Sequence, residues 1–133
     1  MNTDFPLWME IQAEHLRTNY ELLKRSAQQD GQAQIMGVVK ADAYGHGTEC
    51  VTLLQQYGMD RFGVASVQEG EILRKEGITG SIYLLGGFIA EEIPGILTYG
   101  LIPVLSSPDE FESLAQMANQ QQHDLDFHLK IVS

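Results

Sequence analysis

Ile35-Met36-Gly37-Val38-Val39-Lys40-Ala41-Asp42-Ala43-Tyr44-Gly45-His46-Gly47 sets an apolar run against a lysine, then against a histidine flanked by glycines. The run Ile35–Ala41 is continuous rather than alternating, the pattern of a strand buried on both faces of a helix-covered parallel sheet. Four further runs of this kind follow: Arg61–Ala65, Ser81–Gly86, Leu101–Leu105 and Asp126–Val132. They recur about every 19 to 26 residues, which leaves room for one crossover helix per step. Five βα steps in series predict an α/β fold of about five parallel strands with crossover helices.

The intervening segments carry helix signals. Ala13–Gln29 places Leu16, Tyr20 and Leu23 on one stripe. Ser66-Val67-Gln68-Glu69 and Ser107-Pro108-Asp109-Glu110 both read as capping boxes, in which Ser caps the N3 amide and Glu reaches back to the Ser amide. Pro108 suits a first helical position, and Gly58, Gly77 and Gly100 read as C-caps. Ala90–Tyr99 is helical only if Pro94 lies in its first turn. Leu7–Gln12 reads as an extra strand outside the series.

Composition bounds the function. The chain has 133 residues, with 18 Asp+Glu against 8 Lys+Arg for a net charge of −10, which disfavours binding to phosphate backbones of nucleic acid. A single cysteine, Cys50, excludes an internal disulfide framework. Met1–Glu10 shows no targeting pattern, and Ile82–Ala90 has about half the ~20 apolar residues of a membrane span. One soluble, cytoplasmic domain is expected, with no membrane or nucleic-acid partner.

Lys40 is the residue out of place. An ammonium at the end of a doubly buried strand is costly unless it is paired or loses its proton. A lysine neutral near pH 7 is the nucleophile that Schiff-base chemistry with an aldehyde requires. Sites of βα barrels also lie at the C-terminal ends of strands. The competing reading is a lysine that snorkels from the strand end into water. Tyr44 offers a hydroxyl close by, and Gly45 and Gly47 let backbone approach a ligand. The spacing is not that of a P-loop, and no carboxylate or cysteine is spaced to make His46 a metal ligand, so His46 reads as structural.

Val38-Val39-Lys40-Ala41-Asp42-Ala43-Tyr44-Gly45-His46-Gly47 resembles the pyridoxal-phosphate attachment motif of alanine racemases. The resemblance continues in Trp8-Met9-Glu10-Ile11, Arg17, Asn19, Phe62-Gly63-Val64-Ala65, Glu69-Gly70, Leu73-Arg74, Gly77-Ile78, Ile82–Gly86 and Phe127–Lys130. It implies a (β/α)8 TIM-type barrel followed by a β-rich domain, acting as a homodimer in the complete enzyme. It implies that Lys40 holds pyridoxal 5'-phosphate as a Schiff base and moves the Cα proton on one face of the substrate. Tyr44 would bind the cofactor phosphate, and Val38 and Leu85 would line the ring pocket. Lys130 matches a lysine that some members carry as a carbamate, the alternative being an unmodified, paired lysine.

The implied activity is interconversion of L-alanine and D-alanine, supplying D-alanine for peptidoglycan. The chain ends at Ile131-Val132-Ser133, before the family's Thr-Gly-Met, so residues 1–133 correspond to an N-terminal portion of the barrel. Such a portion is expected to be an incomplete barrel and inactive alone. Two alternatives stand beside this reading: another racemase of the family acting on serine or many amino acids, and a pyridoxal-phosphate carrier without turnover.

Overall fold

Each apolar run from Ile35 onward contributes a strand, and the strands pair side by side in chain order. A computed structural model describes residues 8–29 and 31–131. Its five strands are β1 (Gly37–Val38), β2 (Arg61–Val64), β3 (Ser81–Leu84), β4 (Leu101–Leu105) and β5 (His128–Leu129), in the order β1-β2-β3-β4-β5. Every pairing is parallel, with Val38 beside Gly63, Gly63 beside Tyr83 and Tyr83 beside Ile102. Helix α1 (Ala13–Ala27) precedes the sheet, and α2 (Lys40–Tyr44) and α3 (Thr48–Gln56) join β1 to β2. The later crossovers are α4 (Val67–Lys75), a 3-10 turn Ala90–Glu92 running into α5 (Ile93–Thr98), and α6 (Pro108–Gln120). This is the expected incomplete βα barrel.

Burial follows the period-two alternation of strands. Phe62, Val64, Ile82, Leu84, Leu101 and Leu105 point to the helices and are fully buried. The opposite, concave face is only partly covered, with Ile102 and Val104 half-buried on β4. The expectation of two buried faces therefore holds for the helix side alone. On that face Val38, Ile102 and Val104 meet solvent, while Tyr83 is buried beside His128.

Ile35–Ala41 and Asp126–Val132 were the longest expected strands, and both ladders are short. On β1 pairing reaches Val39, whose amide donates to the Gly63 carbonyl at 2.8 Å, and stops where the backbone turns at Lys40. On β5 it reaches Lys130, whose amide donates to Leu105 at 2.8 Å. Among the described residues both are edge strands with one neighbour each, and a single ladder holds fewer residues in line; Val132 lies outside the described residues.

Pro94 does sit in the first turn of α5, where its missing N–H is harmless. Gly58, Gly77 and Gly100 follow α3, α4 and α5 in the left-handed region, as expected of C-caps. On α1 only Tyr20 is buried; Leu23, expected on the same stripe, is 62% exposed because α1 meets α3 along a narrow seam. No strand forms at Trp8–Gln12, whose last residue is the N-cap of α1, while Leu7 lies outside the described residues.

The two ends of α4 fasten the two ends of the sheet. In its last turn Arg74 donates to the carbonyls of Ile78 and Gly80, both at 2.7 Å, and to those of Tyr99 at 2.8 Å and Gly100 at 3.2 Å. These carbonyls belong to the loops that lead into β3 and β4. In its first turn Glu69 serves the strand ends where the candidate site lies.

Candidate active site

The site begins with a backbone anomaly. After Val39, residues Ala41, Asp42, Ala43 and Tyr44 all have φ between 51° and 55°. With ψ near 50° at Ala41, Asp42 and Ala43, α2 is a left-handed helical turn built from residues with a Cβ. Such a conformation costs roughly 1–2 kcal/mol per residue. Hydrogen bonds offset it: Ala43 N to Val39 O at 2.9 Å, Gly45 N to Ala41 O at 3.0 Å and Gly47 N to Asp42 O at 3.0 Å. His46 closes the turn by donating from Nδ1 to the Ala43 carbonyl at 2.8 Å, which agrees with its reading as structural. Gly45, at φ 81°, lets the chain leave the turn without a Cβ clash.

Glu69 ties this turn to its neighbour. Its Oε1 accepts from Ala41 N at 2.9 Å and its Oε2 from Ala65 N at 2.7 Å. The expected capping box at Ser66 is therefore half formed. Ser66 Oγ accepts from Glu69 N at 3.2 Å, but the carboxylate serves the ends of β1 and β2 rather than the Ser66 amide. At Ser107 the box is complete, with Glu110 accepting from Ser107 N at 3.1 Å. In the sequence Glu69 reads as a capping residue and as part of the family's second βα unit, with no role beside Lys40. The signal that separates the two cases is the three-dimensional closeness of Ala41, which spacing along the chain does not carry.

Lys40 stands at the C-terminal end of β1, and it is exposed rather than buried in a doubly covered strand. Its ammonium lies 5.9 Å from the centre of the Tyr44 ring, within range of a weak cation–π attraction. Among the described residues no carboxylate comes within 4.0 Å of it. The lysine is thus a free primary amine on a strained and hydrogen-bonded base. Tyr44 is 59% exposed, and among the described residues its hydroxyl makes no hydrogen bond.

Val38 and Leu85 meet around Gly63. Val38 pairs with Gly63, and a Cβ on Gly63 would lie 2.7 Å from Leu85 Cδ1 and 3.2 Å from Met36 Sδ. The missing side chain is what lets Leu85 and Met36 close over the strand. Val38 is 42% and Leu85 39% exposed, an apolar surface beside the lysine. Lys130 is not part of this group: it follows β5, with three strands between it and β1. Nearer to it, His128 stacks on Tyr83 with ring centres 4.9 Å apart. The expected residues Lys40, Tyr44, Val38 and Leu85 thus gather at one end of β1–β3, while Lys130 stands at the opposite edge.

A primary amine free of ion pairing, a nearby hydroxyl donor and an apolar wall form a donor set that fits an aldehyde cofactor with a phosphate group. Residues 11–133 match the alanine racemase N-terminal domain. The alanine racemase of Carboxydothermus hydrogenoformans is 37% identical over 127 residues, covering 95% of this chain and 34% of that protein. Alanine racemase 1 of Clostridium acetobutylicum is 34% identical, covering 95% of this chain and 32% of that protein. A solved alanine racemase from Clostridium difficile superposes with a TM-score of 0.89 at 32% identity, covering 98% of this chain and 34% of that one. The chain spans about a third of the length of the curated relatives it matches.

Proposed function

Because the chain belongs to the family of alanine racemase N-terminal domains, we propose that it supplies the cofactor-holding part of a pyridoxal-phosphate-dependent alanine racemase. Residues 1–133 form the N-terminal portion of the barrel, completed by further barrel strands and a β-rich domain in a homodimeric, cytoplasmic enzyme that provides D-alanine for peptidoglycan. The observation that carries the reading is Lys40: an unpaired, accessible amine at a strand's C-terminal end, next to Tyr44.

Pyridoxal phosphate, when bound, supplies an aldehyde that condenses with amines and a ring that withdraws electrons from the substrate Cα. Lys40 Nζ is the nucleophile that holds the aldehyde, since the strand end presents it without a competing ion pair. Once released from the aldehyde, the same Nζ would be placed to move the Cα proton on one face of the substrate. Tyr44 donates its hydroxyl to the phosphate. Val38 and Leu85 exclude water from one side of the cofactor, which strengthens polar interactions at the lysine. Lys130, carbamylated or unmodified, acts at a distance from this centre.

The test is racemisation of L-alanine by the racemase-length protein carrying this chain. D-Alanine should appear with the parent sequence, fall at least about a thousandfold with Lys40→Ala, and respond to Tyr44→Phe mainly through cofactor retention. Full turnover by Lys40→Ala overturns the proposal.

A further inference from the structure

We propose that Glu69 is a positioning residue for Lys40: its carboxylate holds the backbone amide that follows the lysine and so fixes the base from which the side chain departs. The inference rests on the assignment of Lys40 to the cofactor.

Ala41 is the first left-handed residue of the turn, and among the described residues Glu69 Oε1 is the acceptor of its amide, at 2.9 Å. The other carboxylate oxygen is committed to Ala65 at the end of β2, at 2.7 Å. One side chain therefore sets the spacing between the two strand ends. Packing holds only part of the turn: Val39 and Ala43 pack on the core, but a cavity of about 160 Å³, lined by Val39, Asp42, Thr48, Val64, Glu69 and Leu73 among others, lies between the turn and α3 and α4. Nor does Lys40 have an ion pair of its own to fix it. Its place depends on the backbone, where Glu69 is the side chain that ties the first residue of the turn to the end of β2.

A glutamine at this position keeps the size but replaces one of the two accepting oxygens with an NH2 donor, so the paired geometry to Ala41 and Ala65 is lost. The racemase-length protein is compared with its Glu69→Gln and Glu69→Ala variants. Hydrogen exchange is read without cofactor on the peptide containing Ala41. The loading rate and the visible spectrum are read with pyridoxal phosphate. Exchange at Ala41 should speed by about tenfold or more with peptides of β3 unchanged, and the loading rate should fall by about tenfold. At equal added cofactor the visible spectrum should shift toward that of the free aldehyde. Glu69→Gln carries the test if Glu69→Ala does not fold.

Unchanged exchange at Ala41 overturns the proposal. Faster exchange with loading and spectrum unchanged also overturns it, leaving Glu69 as a tie between loops. Borohydride-fixed cofactor on a lysine other than Lys40 in the parent protein overturns the Lys40 assignment itself; fixation at Lys40 leaves that assignment standing whichever way the Glu69 variants behave.

Discussion

Glu110 in the first turn of α6 accepts the amide of Ser106, at the end of β4, at 2.6 Å. Glu69 treats Ala65 at the end of β2 in the same way at 2.7 Å, and Glu92 accepts from Ile89 after β3 at 3.0 Å. Three successive βα turns are thus closed by a carboxylate on the following helical turn. Strand ends on which a site can be built are held by charge-assisted bonds, which are stronger than neutral ones.

The first consequence is a pH dependence. Hydrogen bonding, led by the Ser106 amide and opposed by partial burial, holds the Glu110 carboxyl below its ordinary 4.5. A carboxyl with a lowered value in the folded state stabilises the fold above pH 4.5 and loses that contribution as pH falls through the lowered value. Glu110→Gln should therefore be less stable than the parent at neutral pH, with the gap narrowing below pH 4.5. Urea midpoints across that range check it, and a gap of constant size would count against the ion.

At the other end of the sheet, Arg74 bonds four carbonyls and, among the described residues, no carboxylate. Arg74→Met should leave several of these partly buried acceptors unpaired, at a cost of about 2–4 kcal/mol. Denaturant unfolding measures the loss. A change below about 0.5 kcal/mol would mean that water replaces the guanidinium freely.

How much of this was legible in the residues differs from element to element. Arg61–Val64, Ser81–Leu84 and Leu101–Leu105 match their apolar runs closely, because central strands are set by burial on the helix side. Ser107-Pro108-Asp109-Glu110 declared its cap because all its partners are local. The left-handed turn at Ala41–Tyr44 had no such signal, since alanine and tyrosine rarely adopt positive φ and the enrichment of aspartate there concerns single residues, not four in a row. Glu69 was unreadable for a related reason: its second partner, Ala41, is 28 positions away. Lys40 and Tyr44 were legible as a pair, while the openness of the face around Val38 was not, because a continuous apolar run reads as cover on both sides.

Cys50 is the single cysteine, and it is buried. Burial first, then the charges of Glu49 and Asp42, push its thiol upward from the ordinary value. It should react slowly with an alkylating reagent near neutral pH in the folded chain and quickly once unfolded. Equal rates in the two states would show that α3 opens readily.

For the 133-residue chain by itself, β1 and β5 each have one paired neighbour. Both present unpaired backbone groups, with Leu129 and Ile131 largely exposed beside β5. Exposed apolar edges recruit other chains. Sedimentation should show self-association, with no D-alanine formed; a stable monomer that turns over alanine would contradict the picture of an incomplete barrel.

The central claim is that Lys40 is the amine that holds the cofactor, and the direct measurement is chemical fixation. The racemase-length protein is loaded with pyridoxal phosphate, reduced with borohydride, digested and mapped by mass spectrometry. The account predicts the added mass on the peptide bearing Lys40 and its loss in Lys40→Ala. The same mass on Lys24, Lys75 or Lys130, with Lys40 unmodified, would contradict it.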